Sequence, residues 1–416
     1  MTKQEAAIKY IRENYLDFNR LRHDIVSDKL QIRMDLEEVK GGEYWREMTK
    51  HDINSIVCHC AQEYDANITS REVMTALQSD LIPDVHPLRE YVLSCGEWTE
   101  EQPDWIDWVA QQVTVKPLGD EAKGDKARGE GLWRGCFKKW FVAMVASWMK
   151  DEVVNHQVLV LIGKQGIFKT TWLEHLIPPH LRAYACKLAN SNDLNKDERL
   201  RIAEFGLISL DEIDSMNNRE LNQLKSVITA TDVNERAAYA YTKERRVRLA
   251  SFCASGNRRD FLTDITGNRR WLPFEVESIQ NPFYTILPYE RMYAQAWALA
   301  QDPLFSYWFD LDEIEVLEEH NQHFRDESNE EQLLPILFDV PAEGKGEFMT
   351  TARISERLVT YGNIKKPMAL SRLGMVLGAA GYQSTRPKIG GRLIRGWLVY
   401  QRDTDEIASL KRLLKE

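Results

Sequence analysis

Val158-Leu159-Val160-Leu161-Ile162-Gly163-Lys164-Gln165-Gly166-Ile167-Phe168-Lys169-Thr170-Thr171 is the stretch whose reading decides the fold. Its first five residues are apolar without alternation, the pattern of a strand buried on both faces. A Gly-bearing turn follows, and Thr171-Trp172-Leu173-Glu174-His175-Leu176 has helical periodicity. Strand, turn and helix N-terminus together aim backbone N–H groups and the positive end of a helix dipole at a phosphate. Lys169 would neutralise the β/γ-phosphates of ATP, and the Thr170 hydroxyl would sit on Mg²⁺. Gly163, Gln165, Gly166, Phe168, Lys169, Thr170 and Thr171 are therefore the expected nucleotide contacts. One residue departs from the common pattern, which has Gly before the Lys where this chain has Phe168. The loop instead spaces as G-x-x-G-x-x-K-T, and a side chain at 168 is expected to demand ordinary φ/ψ. An ordinary strand-turn-helix junction is the competing reading.

The chain downstream strengthens the phosphate reading. Phe205-Gly206-Leu207-Ile208-Ser209-Leu210 is a second short apolar run, and Asp211-Glu212 follows it at once, 42 residues after Lys169. A carboxylate at the C-terminal tip of a buried parallel strand is where an α/β nucleotide site holds its metal. Asp211 would take Mg²⁺ through water and Glu212 would polarise the attacking water. A third run, Arg248 to Ser255, ends in Gly256-Asn257, and the Asn257 amide is suited to orient that water. Gly-Asn is also ordinary turn chemistry. Arg269 and Arg270, in Thr266-Gly267-Asn268-Arg269-Arg270, suit an arginine finger, against the plainer reading of pairing with surface acids.

Between the second and third runs, Asn234 to Arg248 alternates at its ends and is charged at its tip, which reads as a β-hairpin. Lys243, Arg245 and Arg246 make it basic, and Tyr239 and Tyr241 supply stacking faces suited to single-stranded nucleic acid. A hairpin charged only for solubility is the alternative.

This order of phosphate loop, Asp-Glu strand tip, basic hairpin, Asn strand tip and arginine loop resembles the AAA+ ATPases of the superfamily 3 helicase kind. The closer resemblance, over roughly residues 85–325, is to the virulence-associated protein E family of phages and bacterial mobile elements. It rests on Lys139-Trp140-Phe141-Val142-Ala143-Met144-Val145-Ala146, Asn155-His156-Gln157-Val158-Leu159-Val160, Gly163-Lys164-Gln165-Gly166, Leu210-Asp211-Glu212-Ile213-Asp214, Glu235-Arg236-Ala237-Ala238-Tyr239 and Thr266-Gly267-Asn268-Arg269-Arg270. The resemblance implies an AAA+-type α/β core with a parallel sheet and a ring oligomer, possibly a hexamer, whose hairpin enters a central channel and drags DNA. It implies catalytic and metal roles for Lys169, Asp211, Glu212, Arg269 and Arg270.

Composition bounds the rest. At 416 residues with 43% hydrophobic content the chain can bury two or three cores. No run approaches the roughly 20 apolar residues of a membrane span, and Met1-Thr2-Lys3-Gln4-Glu5 does not open a signal peptide. Six scattered cysteines with no zinc spacing, Cys58-His59-Cys60 included, fit a cytoplasmic protein. The net charge of −10 argues against a general nucleic-acid coat, but it is uneven. Residues 310–343 carry 12 acids against Arg325 alone, and residues 345–416 carry 14 Lys/Arg against 6 acids.

The expected division is a mixed α/β region at 1–84, a helical collar at 85–150, the ATPase core at 151–309, an acidic helical linker at 310–345 and a basic winged-helix-like domain at 346–416. The collar is read as aromatic-rich and helical around a polar, Gly-containing loop at residues 119–126, with its tryptophans in the core. In the last domain, helices at Met349–Tyr361 and Ala369–Ala379 precede Arg386 to Tyr400, read as two strands about Gly390-Gly391. Lys388, Arg392 and Arg395 would lie on phosphates, unless the fold serves only protein contacts. The expected activity is Mg²⁺-dependent ATP hydrolysis driving a DNA helicase or translocase in mobile-element replication, with any primase a separate partner. Two alternatives stand: a non-hydrolysing nucleotide-sensing DNA-binding or assembly module, and a P-loop phosphotransferase.

Overall fold

The computed structural model describes residues 1–34, 45–64, 67–117, 126–188, 201–235, 244–262, 268–342 and 346–413. The chain divides into two units, one of residues 1–258 and 270–316 and one of residues 259–269 and 317–416.

The first unit opens with α1 (Lys3–Ile11), begun by a capping box. The Thr2 hydroxyl accepts from the Glu5 N–H at 3.2 Å, and the Glu5 carboxylate accepts from the Thr2 N–H at 2.7 Å. Then come β1 (Leu21–Asp24), β2 (Lys29–Arg33), β3 (Trp45–Glu47), α2 (Lys50–Tyr64), α3 (Ser70–Leu77) and β4 (Asp84–Val85). The strands form a sheet of order β3-β2-β1-β4. Ala7, Ile11, Leu21, Ile56, Val73 and Leu77 close the core between it and the helices.

Residues 87–150 hold α4 (Pro87–Ser94), α5 (Trp105–Ala110), β5 (Val113–Val115) and α6 (Lys126–Met149). The expectation of a helical collar did not include β5, an antiparallel edge strand of the main sheet. Three residues of alternation are too few to register beside long helices. The tryptophans divide: Trp133, Trp140 and Trp148 are buried at helical spacing along α6, whereas Trp108 is 41% exposed. Each buried indole donates to a carbonyl, of Ala110, Phe252 and Gly206 respectively. Gly206 is required there, since a Cβ would meet the Trp148 ring at 2.9 Å.

The main sheet adds β6 (Val158–Ile162), α7 (Lys169–His175), β7 (Ala185–Leu188), α8 (Arg201–Glu204), β8 (Leu207–Leu210), α9 (Asn218–Thr229), β9 (Asp232–Glu235), β10 (Glu244–Val247), β11 (Ser251–Gly256), β12 (Trp271–Ile279) and α10 (Tyr289–Gln301). Its order is β5-β12-β6-β11-β8-β7, parallel except for β5. From β6 the chain runs to the far edge at β7, returns through β8 and β11, then crosses to β12 on the other side of β6. That reversal opens a crevice at the carboxyl end of β6, where open α/β sheets take ligands. β9 and β10 form a separate antiparallel ladder, the stem of the expected hairpin. Its tip, residues 236–243, lies outside the described residues.

α11 (Leu311–Gln322) carries the chain into the second unit. There α12 (Asn329–Leu337), β13 (Phe338–Asp339), β14 (Glu347–Met349), α13 (Thr351–Gly362), α14 (Leu370–Ala379), β15 (Gln383–Thr385), β16 (Lys388–Ile389), β17 (Arg392–Leu393), β18 (Gly396–Gln401) and α15 (Thr404–Leu413) follow. The two strands read around Gly390-Gly391 are three. β16 and β17 are two-residue stubs about that turn, whose glycines take φ of 57° and 81°. β18 is the long strand that ties β13, β14 and β15 together. Leu337, Ile354, Leu373, Leu377, Trp397 and Val399 form the core. Among the described residues, no helix is long and apolar enough to cross a membrane.

Candidate functional site

At the carboxyl ends of β6, β8 and β11 lies a pocket of about 310 Å³, lined by Gln165, Gly166, Phe168–Thr171, Asp211, Glu212 and Ser255–Asn257. The residues singled out from three separate apolar runs meet there because those strands are neighbours in the sheet.

The loop is built on three backbone constraints. The Gly163 N–H donates to the Gly256 carbonyl at 3.1 Å. A Cβ on Gly163 would come within 2.8 Å of the Val276 carbonyl oxygen, so only glycine fits. Gly166 takes φ 85°. Phe168, the N-cap of α7, has φ 68° and ψ 17°, in the left-handed region. The expectation of ordinary φ/ψ at this position is overturned: the loop keeps the backbone that glycine would adopt, at a cost of about 1–3 kcal/mol for a residue with a Cβ.

Lys169 is 7% exposed. Its ammonium donates to the carbonyls of Gly163 and Lys164, both at 2.7 Å, and to Asn257 Oδ1 at 3.3 Å. Burial pulls its pKa down, while Asp214 and Asp211 act the other way. The loop thus curls around its own cation. Thr170 Oγ1 lies 3.2 Å from Asp211 Oδ1 and 2.9 Å from Ser255 Oγ. Asp211 also accepts from Ser255 at 2.7 Å and pairs with Lys187 at 2.9 Å. Burial raises the Asp211 pKa, but the bonds from Lys187, Ser255 and Thr170 outweigh it and hold the carboxyl below its ordinary value. Thr170, Ser255 and Asp211 are oxygen donors of the kind Mg²⁺ accepts, beside a buried ammonium and a curled loop that suit a phosphate chain. On chemistry and placement the residues fit such a ligand.

Glu212, at φ 52° and ψ 46°, starts a short 3₁₀ turn, Ile213–Ser215. Asp214, in that turn, accepts from the N–H groups of Asn257 and Arg258, each at 3.1 Å, and so positions the end of β11. Sequence reading missed Asp214, Lys187, Ser255 and Arg258. Ser255 carried a signal, since it lies two residues before Asn257 and so on the same face of an extended strand. Lys187 carried none, because its segment has no motif.

The remaining residues lie apart from the pocket. Arg270 precedes Trp271, which pairs with Val158 at the start of β6, so a strand length of roughly 17 Å separates it from the loop. Arg269 is exposed in the same 3₁₀ turn, Asn268–Arg270. Tyr241 and Lys243 fall outside the described residues, and of Arg245 only its backbone in β10 is described. Arg246 sits at the hairpin root, paired with Asp28 at 2.9 Å and near Glu204 at 3.6 Å. In this state its charge is engaged by protein. Lys388, Arg392 and Arg395 are exposed on and beside the β16–β17 stub.

A phosphate-loop-like turn on a parallel sheet, completed by strand-tip Asp and Asn, defines the class. Residues 126–331 match the model of the virulence-associated protein E-like domain, and over this stretch the chain belongs to that family. Among solved structures the chain is similar to the apo structure of the NrS-1 C-terminal region (305–718), at 12% identity and a TM-score of 0.47, covering 95% of this chain and 100% of that one. It is also similar to an A-form apo structure of the same region, at 11% identity and a TM-score of 0.47, covering 95% and 99%. No curated protein matches.

Proposed function

We propose that this chain is an Mg²⁺-dependent ATPase of the AAA+ type that works as a DNA helicase or translocase in the replication of a mobile element. The observation that carries the reading is the convergence of Lys169, Thr170, Asp211 and Asn257 in one pocket at the reversal point of a parallel sheet. The loop and Lys169 bind the triphosphate. Thr170 and Asp211 hold the metal, which would neutralise charge on the phosphates. Glu212 takes a proton from the hydrolytic water, and Asn257 orients it. Residues 151–309 are the motor core, with residues 1–84 and the collar at 85–150 before it and an acidic linker at 310–345 after it.

Arg269 or Arg270 acts on a neighbouring subunit's nucleotide, which requires a ring. The separation of Arg270 from its own pocket supports action in trans. The β9–β10 hairpin contacts DNA. The helix–helix–strand–stub–strand order of residues 346–416 supports a winged-helix reading, with Lys388, Arg392 and Arg395 on phosphates. The test is steady-state ATP hydrolysis across protein concentrations, with and without single-stranded DNA, for the parent and Lys169→Ala. Turnover that rises with both and vanishes in the variant is expected. Flat rates in both proteins would overturn the proposal.

A further inference from the structure

Phe168 poses a question that phosphate binding leaves open: its backbone is strained, and glycine would serve the loop without strain. The ring gives the answer. Phe168 lines the phosphate pocket and meets Phe283 edge to face, with centroids 6.3 Å apart and planes at 81°. Phe283 in turn meets His175 edge to face at 5.6 Å. The three rings run along the flank of α7 from its N-cap to its last residue, starting where the phosphates would end.

The shelf is held at its His175 end. The His175 ring donates from Nδ1 to the Thr171 carbonyl at 2.7 Å, and the Tyr289 hydroxyl donates to the His175 carbonyl at 2.7 Å. Phe283 lies in the loop between β12 and α10, and it is 69% exposed. A large aromatic face left open beside a polar pocket is an unfilled stacking position. Because β12 is parallel to β6 and adjacent to it, that loop emerges at the same carboxyl edge as the phosphate loop.

We propose that Phe168 and Phe283 form the base subsite of the nucleotide, with the base stacked on the open ring one sugar away from the loop. The inference rests on the phosphate-site reading above. Phe168 joins the two subsites: its backbone shapes the phosphate turn and its ring braces the stacking face. Base–aromatic stacking discriminates nucleotides from bare phosphate chains, and its loss on substitution is worth roughly tenfold in affinity.

Calorimetric titration with Mg·ATP and with Mg·tripolyphosphate tests this on the parent chain, Phe168→Gly, Phe168→Leu and Phe283→Ala. Glycine is at home in the left-handed backbone and Phe283 is exposed, so both positions tolerate change. The expected result is about tenfold weaker Mg·ATP in Phe168→Gly and Phe283→Ala, with Mg·tripolyphosphate within twofold of the parent. Phe168→Leu, apolar but without a flat face, should follow Phe168→Gly. Equal losses for both ligands, or no loss for either, would overturn the subsite. So would a change in self-association with both affinities intact, which would assign the patch to a protein contact. A parent chain that binds neither ligand would instead bring down the phosphate-site reading itself.

Discussion

Arg248 is fully buried, and among the described residues no carboxylate pairs with it. Its guanidinium donates to the carbonyls of Ala250 at 3.1 Å, Val227 at 3.3 Å, Ala230 at 3.1 Å and Asn155 at 3.0 Å, and also to that of Ile228. Three of these five carbonyls belong to the C-terminal end of α9, so the side chain is a helix cap reaching in from the root of the hairpin. Burial pushes its pKa down, and the carbonyl oxygens hold the charged form in place. In Arg248→Met, Val227 keeps a second donor, the Ala230 N–H at 3.2 Å, and Ile228 keeps the His156 ring at 3.2 Å. The carbonyls of Asn155, Ala230 and Ala250 lose Arg248. At about 1 kcal/mol for each orphaned carbonyl the loss is about 3 kcal/mol, in the range for a broken buried network. For a unit of this size that lowers Tm by about 5 °C in scanning calorimetry. Because Arg248 directly follows β10, amide exchange in β9 and β10 should accelerate more than in β6. Arg248→Lys, with three donors in place of five, should fall between. An unchanged or raised Tm for Arg248→Met would refute the reasoning, since the cap would then cost as much in desolvation as it returns.

Three further outcomes are expected. Glu212→Gln should keep Mg·ATP binding within about threefold and lose at least 100-fold in turnover; retained turnover would remove Glu212 as the base. Inactive Lys169→Ala mixed with Arg269→Ala or Arg270→Ala should recover hydrolysis for whichever arginine acts in trans, since the mixed interface restores one complete site, and no recovery with either would remove the finger. His86 caps α4, its Nδ1 accepting from the Arg89 N–H at 3.3 Å, and burial first, then the Arg89 charge, depress its pKa to about 4. The unfolded chain therefore takes up this proton near pH 6.5 while the folded chain does not, and stability falls from pH 6.5 down to about 4, by about 3 kcal/mol. His156 and His180, depressed by burial, act in the same direction, and His23, raised through Asp84 and Asp28 despite its burial, opposes them. His86→Asn keeps a cap without a titration and should flatten the acid limb of Tm against pH; an identical limb would exclude His86.

The parallel core was legible because β6 is an unbroken apolar run, β8 and β11 are largely apolar, and each is followed by residue types with their own chemistry. Periodicity could not assign β5, whose three residues gain their strand character from β12 alone. Nor could it reach Lys187, because a lysine on an edge strand acquires meaning only when β7 is laid beside β8 and its ammonium meets Asp211. The hairpin was legible as a stem, but the reading of Arg246 as free charge missed Asp28, more than two hundred residues away along the chain. In the C-terminal unit the Gly390-Gly391 turn was plain. The dominance of β18 was not, since it comes from three separate pairings.

The backbone itself singles out the pocket. Among the described residues, five other than glycine take positive φ: Asn19, Asp28, Phe168, Glu212 and Asn363. Asn and Asp tolerate this region, because their short polar side chains bond locally. Phe168 and Glu212 have no such excuse, and both line the same pocket. One stands directly before Lys169 and the other directly after Asp211, so each turns the chain sharply where a β-strand hands over to a helical turn. Strain of this kind persists when the surrounding structure over-determines it, and it gathers at functional sites. For Phe168→Gly, relief of that strain matches or exceeds the added freedom of the unfolded chain. That substitution therefore removes the ring without a backbone cost to the fold, and a loss of ligand affinity belongs to the ring.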